Sequence, residues 1–163
     1  MSFNRALKHL VSTPLAVRRV FTPQVLKQIE AEVAASEARH GGEIRFAVEG
    51  NLSGPEVLRG VTPRMRSLHV FSHLRVWDTE QNNGVLIYVL WADRDVEIVA
   101  DRGFNGRVSD QQWAEVCKKM EHHFVQGDVV NAVLTGIREA GALIAAHFPA
   151  TDRNEQPDHP VIL

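Results

Sequence analysis

The run Val85-Leu86-Ile87-Tyr88-Val89-Leu90-Trp91 is apolar at nearly every position. A strand with one wet face would alternate polar and apolar residues, because successive side chains point to opposite sides. This run has no polar alternate. It predicts a strand covered on both faces, central in a sheet sandwiched between helices. A polar loop, Trp77-Asp78-Thr79-Glu80-Gln81-Asn82-Asn83-Gly84, leads into it, and Ala92-Asp93-Arg94-Asp95 reads as a tight turn after it. Val96 to Asp101 then returns as the second arm of a hairpin, with Val96, Ile98 and Ala100 on one face. If the turn centres on Asp93-Arg94, pairing sets Asp101 across from about Leu86.

The remaining elements follow from caps and periodicity. Glu43 to Glu49 alternates Ile44, Phe46 and Val48 with Arg45 and Ala47, predicting a strand whose two faces are unequally buried. Thr22-Pro23 and Thr62-Pro63 each combine an N-cap with proline at the first helical position. They open one helix that ends at Gly41-Gly42 and another that runs to about Arg75, separated by the strand and a Gly50–Gly60 loop. Ser109 with Gln112 forms a capping box for a helix carrying Trp113, Val116, Cys117, Met120 and Phe124. After Gly127-Asp128 a last helix carries Val130, Val133, Leu134, Ile137, Gly141, Ile144 and Phe148. Phe3, Leu7 and Leu10 suggest a short amphipathic helix before Pro14, docked on the domain's own core, with contact of residues 1–13 with a membrane surface as the alternative.

The expected fold is α/β: a three-layer α/β/α sandwich with a small mixed sheet, made of a right-handed parallel βαβ unit plus an antiparallel hairpin. Residues 1–150 form one domain, 1–21 being an N-terminal helical extension, and 151–163 a polar tail lying on the surface. At 163 residues the chain can bury a full core without disulfides. Its single cysteine fits a reducing compartment, and neither a secretory leader nor a membrane-spanning run is recognisable, so the expected location is cytoplasmic. A net charge of -2, and no aromatic platform beside Arg64, Arg66 and Arg75, argue against nucleic-acid binding.

Hairpin pairing gathers two polar segments at one end of the sheet, Asp78 to Asn83 and Asp101 to Asn105. Asp78, Asn82, Asn83 and Asp101 then offer carboxylate and amide oxygens, the donors that Ca²⁺ or Mg²⁺ prefer. The same residues also read as turn chemistry, since Asn and Asp bond their own backbone and Gly takes positive φ. At the opposite end Glu49, Asp93 and Asp95 could gather where open α/β sheets usually bind ligands, or could be a plain hairpin turn. His69 and His73 share a helix face without a third ligand, and adjacent His122 and His123 diverge by about 100° on a helix, which suits solvated or core-edge positions. Cys117 lies in an apolar stripe, where a thiol is inert.

Several segments together resemble the TPM domain family: Gly42-Glu43-Ile44-Arg45-Phe46-Ala47-Val48, Trp77-Asp78-Thr79 followed by Asn82-Asn83-Gly84-Val85-Leu86-Ile87-Tyr88, and Val96-Glu97-Ile98-Val99-Ala100-Asp101-Arg102-Gly103, with Trp113, Met120, Phe124, Gly127 and His147-Phe148-Pro149 beyond. The similarity spans roughly residues 20–150 and points to soluble bacterial members without a membrane anchor. It implies the three-layer sandwich. Among relatives it implies acid phosphatases linked to photosystem repair in plants, divalent-cation binders and an animal receptor accessory protein. Residue by residue, the family's acidic and amide positions fall here on Asp78, Asn82, Asn83 and Asp101.

Two functional classes follow. One is a module that binds a divalent cation, Ca²⁺ or Mg²⁺, or a protein partner. The other is a metal-assisted phosphatase for phosphomonoesters, in which Asp101 and Arg102 would be catalytic, the cation polarising the phosphoryl oxygen and Arg102 neutralising charge.

Overall fold

The apolar run lies in the middle of the sheet. In a computed structural model, which describes residues 3–12, 14–150 and 154–163, it forms β2 (Gly84–Leu90), and all seven of its residues are buried. On one side β2 pairs antiparallel with β3 (Asp95–Ala100), and on the other it pairs parallel with β1 (Glu43–Glu49). A fourth strand, β4 (Val161–Ile162), adds in parallel outside β1, giving the order β3-β2-β1-β4. The hairpin register pairs Leu86 with Val99 and Val85 with Ala100. Asp101 therefore lies beyond the ladder, its N–H donating to the Gly84 carbonyl at 2.9 Å, two positions from where a turn centred on Asp93-Arg94 would put it.

Helices cover both faces. α2 (Pro14–Val20), α3 (Pro23–Glu37), α6 (Asp110–Val125) and α7 (Val129–Ala145) supply one layer, packed on Ile44, Phe46, Val48, Val85, Ile87 and Val89. The second layer is thinner: α1 (Phe3–Val11), α4 (Gly54–Leu58) and α5 (Pro63–His73) lie over Ala47, Leu86, Tyr88, Leu90 and Val99. The caps form as expected, with Thr22 Oγ1 accepting from Val25 N, Thr62 Oγ1 from Met65 N and Ser109 Oγ from Gln112 N. None of the helices among the described residues is long and apolar enough to cross a membrane.

Two further expectations need correction. The Gly50–Gly60 segment is not all loop, because it contains α4, whose start is fixed by the Glu56 carboxylate accepting from Ser53 N–H at 2.8 Å. β1 is buried on both faces rather than unequally, its second face carrying Glu43, Arg45, Ala47 and Glu49 inward. The chain after residue 153, expected as a polar tail lying on the surface, straps over that second face (residues 151–153 of the expected tail, and 1, 2 and 13 of the expected extension, lie outside the described residues). Glu43 accepts the N–H groups of Glu155 and Gln156 at 3.0 and 3.2 Å, Arg45 donates to the Pro157 carbonyl, and Gln156 Nε2 reaches the Arg75 carbonyl at 3.2 Å. Leu163 N then bonds the Val48 carbonyl, closing the β1 edge.

Because a buried carboxylate holds the strap's backbone, Glu43→Gln should destabilise the fold by about 2 kcal/mol, the worth of a charge-assisted hydrogen bond. Urea unfolding measures this, and limited proteolysis of the variant should cut first in residues 154–163.

Candidate functional site

Open α/β sheets usually bind ligands beyond the C-terminal ends of their parallel strands. Here that end is filled with internal ion pairs. Glu49, at the end of β1, takes a two-pronged contact from Arg66 at 2.8 and 2.7 Å and the Tyr88 hydroxyl at 2.6 Å. Burial, and then the Glu49 bond, raises the Tyr88 phenol, while the same carboxylate raises the Arg66 guanidinium. Asp93 in the hairpin turn is bound by α1: Arg5 Nε and Nη2 donate to it at 3.1 and 2.8 Å, and His9 Nε2 lies 3.1 Å away. Burial opposes ionisation of Asp93, yet Arg5 and His9 outweigh it and hold the carboxyl below its usual range. The Leu52 N–H donates to His9 Nδ1, so the ring proton sits on Nε2, facing Asp93. Glu49 and Asp93 are thus structural, and Asp95 does not join them in one cluster of carboxylates.

At the other end of the sheet, Asn82, Asp101 and Arg102 come together. Asn82 sits at positive φ (53°), its carbonyl accepts from Gly103 N at 2.9 Å, and its Oδ1 accepts from Arg102 Nε at 2.8 Å. Asp101 caps the short 3₁₀ turn Arg102–Phe104, with Oδ1 accepting from Arg102 N at 2.7 Å. Its Oδ2 is buried with no hydrogen-bond partner. Gly103 fits against this loop only because it lacks a side chain: a Cβ would stand 2.4 Å from the Asn82 carbonyl oxygen. Asn83 is buried and turned to the β1 side, its Nδ2 donating to the Gly41 carbonyl at 2.5 Å, while its Oδ1 is also buried without a partner. Asp78 is exposed, and its peptide carbonyl accepts from Gln156.

Asp101 opens onto a groove of about 560 Å³ between β3 and α6. Among the described residues its walls carry the carboxylates Asp95, Glu97, Asp101, Asp110 and Glu121 against two cations, Arg64 and Lys118. Burial, and then Glu97, Glu121 and Asp93, push the Asp95 carboxyl up to about 6, and its Oδ1 is buried without a partner. Glu97 is raised by burial too, and its 3.4 Å pair with the half-exposed Arg64 does not offset this. The Cys117 thiol, half-buried in the same wall, is pushed up to about 12 by burial and then by Glu97 and Glu121, so it stays protonated and unreactive. Sequence pattern did not reveal this groove, because Asp95, Glu97 and Asp101 on and after β3 meet Asp110 and Glu121 of α6 only in the folded chain. His69, His73 and His122 are exposed, and His123 is half-buried.

The architecture has known counterparts. A family model for the TPM domain matches residues 17–143. The chain belongs to the TPM domain family. Its fold is similar to that of the BA42 protein from the psychrophilic bacterium Bizionia argentinensis, with 30% identity, TM-score 0.76 and 87% of this chain and 94% of that one covered. The N-terminal domain of a P. gingivalis protein shares the fold at 15% identity and TM-score 0.61, over 82% of each chain. No curated protein matches the sequence at a significant level.

In this TPM domain the groove's charge imposes a pH dependence. The Asp95 carboxyl titrates at about 6 in the folded protein, above its ordinary 3.8, so the folded state holds the proton more tightly than the unfolded chain. Ionised Asp95 therefore weakens the fold, and its cost grows as pH rises through about 6. Asp95→Asn should be more stable than the native protein at pH 8, with the difference fading below about pH 4. Melting temperatures across that range read it.

Proposed function

We propose that this TPM domain is a binding module whose ligand is cationic, with a divalent cation held at the Asp101 end of the acidic groove. The observation that carries the reading is the contrast between Asp101, at the open end of the sheet, and the carboxylates of the closed end. Glu49 and Asp93 at the closed end are matched by Arg66, Tyr88, Arg5 and His9, whereas Asp101 keeps a buried oxygen without a partner, as does Asp95 at the far end of the groove. A buried acceptor left unmatched costs about 1–3 kcal/mol, more when charged, and a bound cation removes that cost.

The donor set constrains which cation fits. Asp101 Oδ2, Asn82 and the peptide oxygens of its loop are hard oxygen donors, with no thiolate or imidazole among them, which favours Ca²⁺ or Mg²⁺ over Zn²⁺. Among the described residues no three His, Cys, Asp or Glu side chains converge on one point. One carboxylate with neutral oxygens and water makes a weak site, with a dissociation constant on the order of 10⁻⁴–10⁻³ M. Asp78 would add a second carboxylate only by turning in from solvent. Asn83, aimed at Gly41, supports the loop from the β1 side.

Hydrolysis of phosphomonoesters is the second reading. It is favoured by Arg102, whose guanidinium is fixed beside Asp101 through the Nε bond to Asn82 and would meet an approaching phosphoryl group. A divalent cation would supply Lewis-acid polarisation there.

At about tenfold excess over the dissociation constant, a ligand specific to the native state stabilises it by about 1.4 kcal/mol. In a domain of this size Ca²⁺ or Mg²⁺ should therefore raise the melting temperature by about 3–6 °C. Asp101→Asn should abolish the rise while folding normally. An unchanged melting temperature, or an equal rise in the variant, refutes the cation site. Release of phosphate from an aryl phosphate by native protein, lost in Arg102→Gln, would place the domain among the enzymes instead.

A further inference from the structure

α1 docks the wrong way round for a helix whose task is to cover a core. Arg5, Ala6 and His9 lie on its inner side, where Arg5 and His9 hold Asp93 and Ala6 packs on the second core layer. Leu7, Leu10 and Val11 fall on the opposite side at helical spacing, 50%, 79% and 67% exposed. Leu15 on α2 (59%) and Leu58 on α4 (69%) are also exposed, and Leu10 and Leu58 flank one cleft between α1 and α4. A monomeric soluble domain shows such leucines singly, whereas a group of them on one end of the molecule marks a contact surface.

Charge identifies what covers it. Residues 1–29 hold five of the chain's 18 Lys and Arg and none of its 20 Asp and Glu. Arg5 is spent on Asp93, but Lys8, Arg18 and Arg19 are exposed. Glu56, on α4, is turned to Ser53 and Arg66. An apolar helix face with cations beside it, on a segment free of acids, matches the headgroup–acyl boundary of an anionic bilayer. A second copy of the chain fits less well, since face-to-face pairing would bring Lys8, Arg18 and Arg19 of both copies together.

We infer that the N-terminal helices α1 and α2 form a peripheral docking surface for anionic lipid, with Leu7, Leu10 and Val11 inserting and Lys8, Arg18 and Arg19 facing the headgroups. α1 lies in the plane of the membrane, pinned to the domain by the Arg5–Asp93 and His9–Asp93 contacts. The acidic groove lies on β3 and α6, and its Asp95 end comes near α1, where Arg5 offsets part of its charge.

Flotation of the full chain with vesicles tests this. The native protein should float with vesicles of phosphatidylcholine mixed with phosphatidylglycerol, not with phosphatidylcholine alone, and should be released when salt rises from about 0.05 to 0.5 M. Binding should fall about fivefold for each cation removed in Arg18→Gln and Arg19→Gln. Leu10→Glu should remove binding without changing the melting temperature, since Leu10 is 79% exposed. The inference is overturned if the native protein ignores anionic vesicles, binds neutral ones equally, or binds undiminished after Leu10→Glu. A dimer in analytical sedimentation that Leu10→Glu dissociates would overturn it as well, by assigning the face to a second copy.

Discussion

The architecture depends on a row of acidic and basic side chains buried under the second face of β1. A strand that turns Glu43, Arg45 and Glu49 inward cannot be covered by an apolar helix, because an orphaned buried charge costs about 3–5 kcal/mol. Each must be met by a group of matching chemistry brought from elsewhere in the chain. Glu49 is met by Arg66 and Tyr88, which fixes α5 and its approach to the sheet. Glu43 is met by two backbone N–H groups and Arg45 by a backbone carbonyl, all in residues 155–157. The C-terminal strap exists because this row exists. Even Glu37, whose Oε1 accepts the Ile44 N–H at 2.7 Å, belongs to it, since burial and then Glu43 and Asp158 push its carboxyl up to about 8. It stays protonated at neutral pH and adds no charge to an already acidic corner.

Matching of charge also divides the carboxylates into two sets. Glu43 and Glu49 are buried and Asp93 is half-buried, and each is hydrogen-bonded on both oxygens or held by cations. Asp95 and Asp101 are half-buried and keep an unpaired buried oxygen each. The default ligand crevice of the fold is closed by its own ion pairs, and the acidic groove lies instead on the flank of the edge strand. The edge is itself guarded: Arg64 donates to the Ile98 carbonyl at 2.7 Å and Glu121 accepts from Val96 N, blocking pairing with another strand. What remains accessible there is charge, and it is negative.

The sheet's centre was legible because its signal is local. Val85 to Leu90 carries burial on both faces in six consecutive residues, and the Thr-Pro and Ser109–Gln112 caps declare helix starts within one turn. The meeting of Asn82 with Arg102 was legible too, since a hairpin links sequence to space by simple counting. The α4 helix had a signal, Ser53 with Glu56 three residues on, but five residues beginning Gly-Pro look like loop. The rest depended on remote partners. Alternation in Glu43 to Glu49 shows two chemically different faces and cannot show that Gln156 and Arg66 will cover the polar one. A two-residue strand such as β4 has no periodicity to read. The orientation of α1 was missed for the same reason: its leucines repeat as core residues do, and only Asp93, 84 positions from His9, reveals which face is inside.

That orientation is decided by magnitude. Rolling α1 over would bury Leu7 and Leu10, worth about 1.5–3 kcal/mol each if complete. It would also strand the Asp93 carboxylate, at about 3–5 kcal/mol for a broken partly buried ion pair. Two backbone groups would lose their partners as well, the Val61 carbonyl that accepts from Arg5 at 2.7 Å and the Leu52 N–H that donates to His9 at 3.0 Å. At about 1–3 kcal/mol apiece, those losses exceed the apolar gain, which is never complete on a helix only nine residues long. The polar contacts therefore win, and the leucines stay outside because the hairpin turn has claimed the other face. A helix anchored by charge at one side and apolar at the other joins the domain to whatever lies beyond it, and its hold on the domain is independent of what it meets.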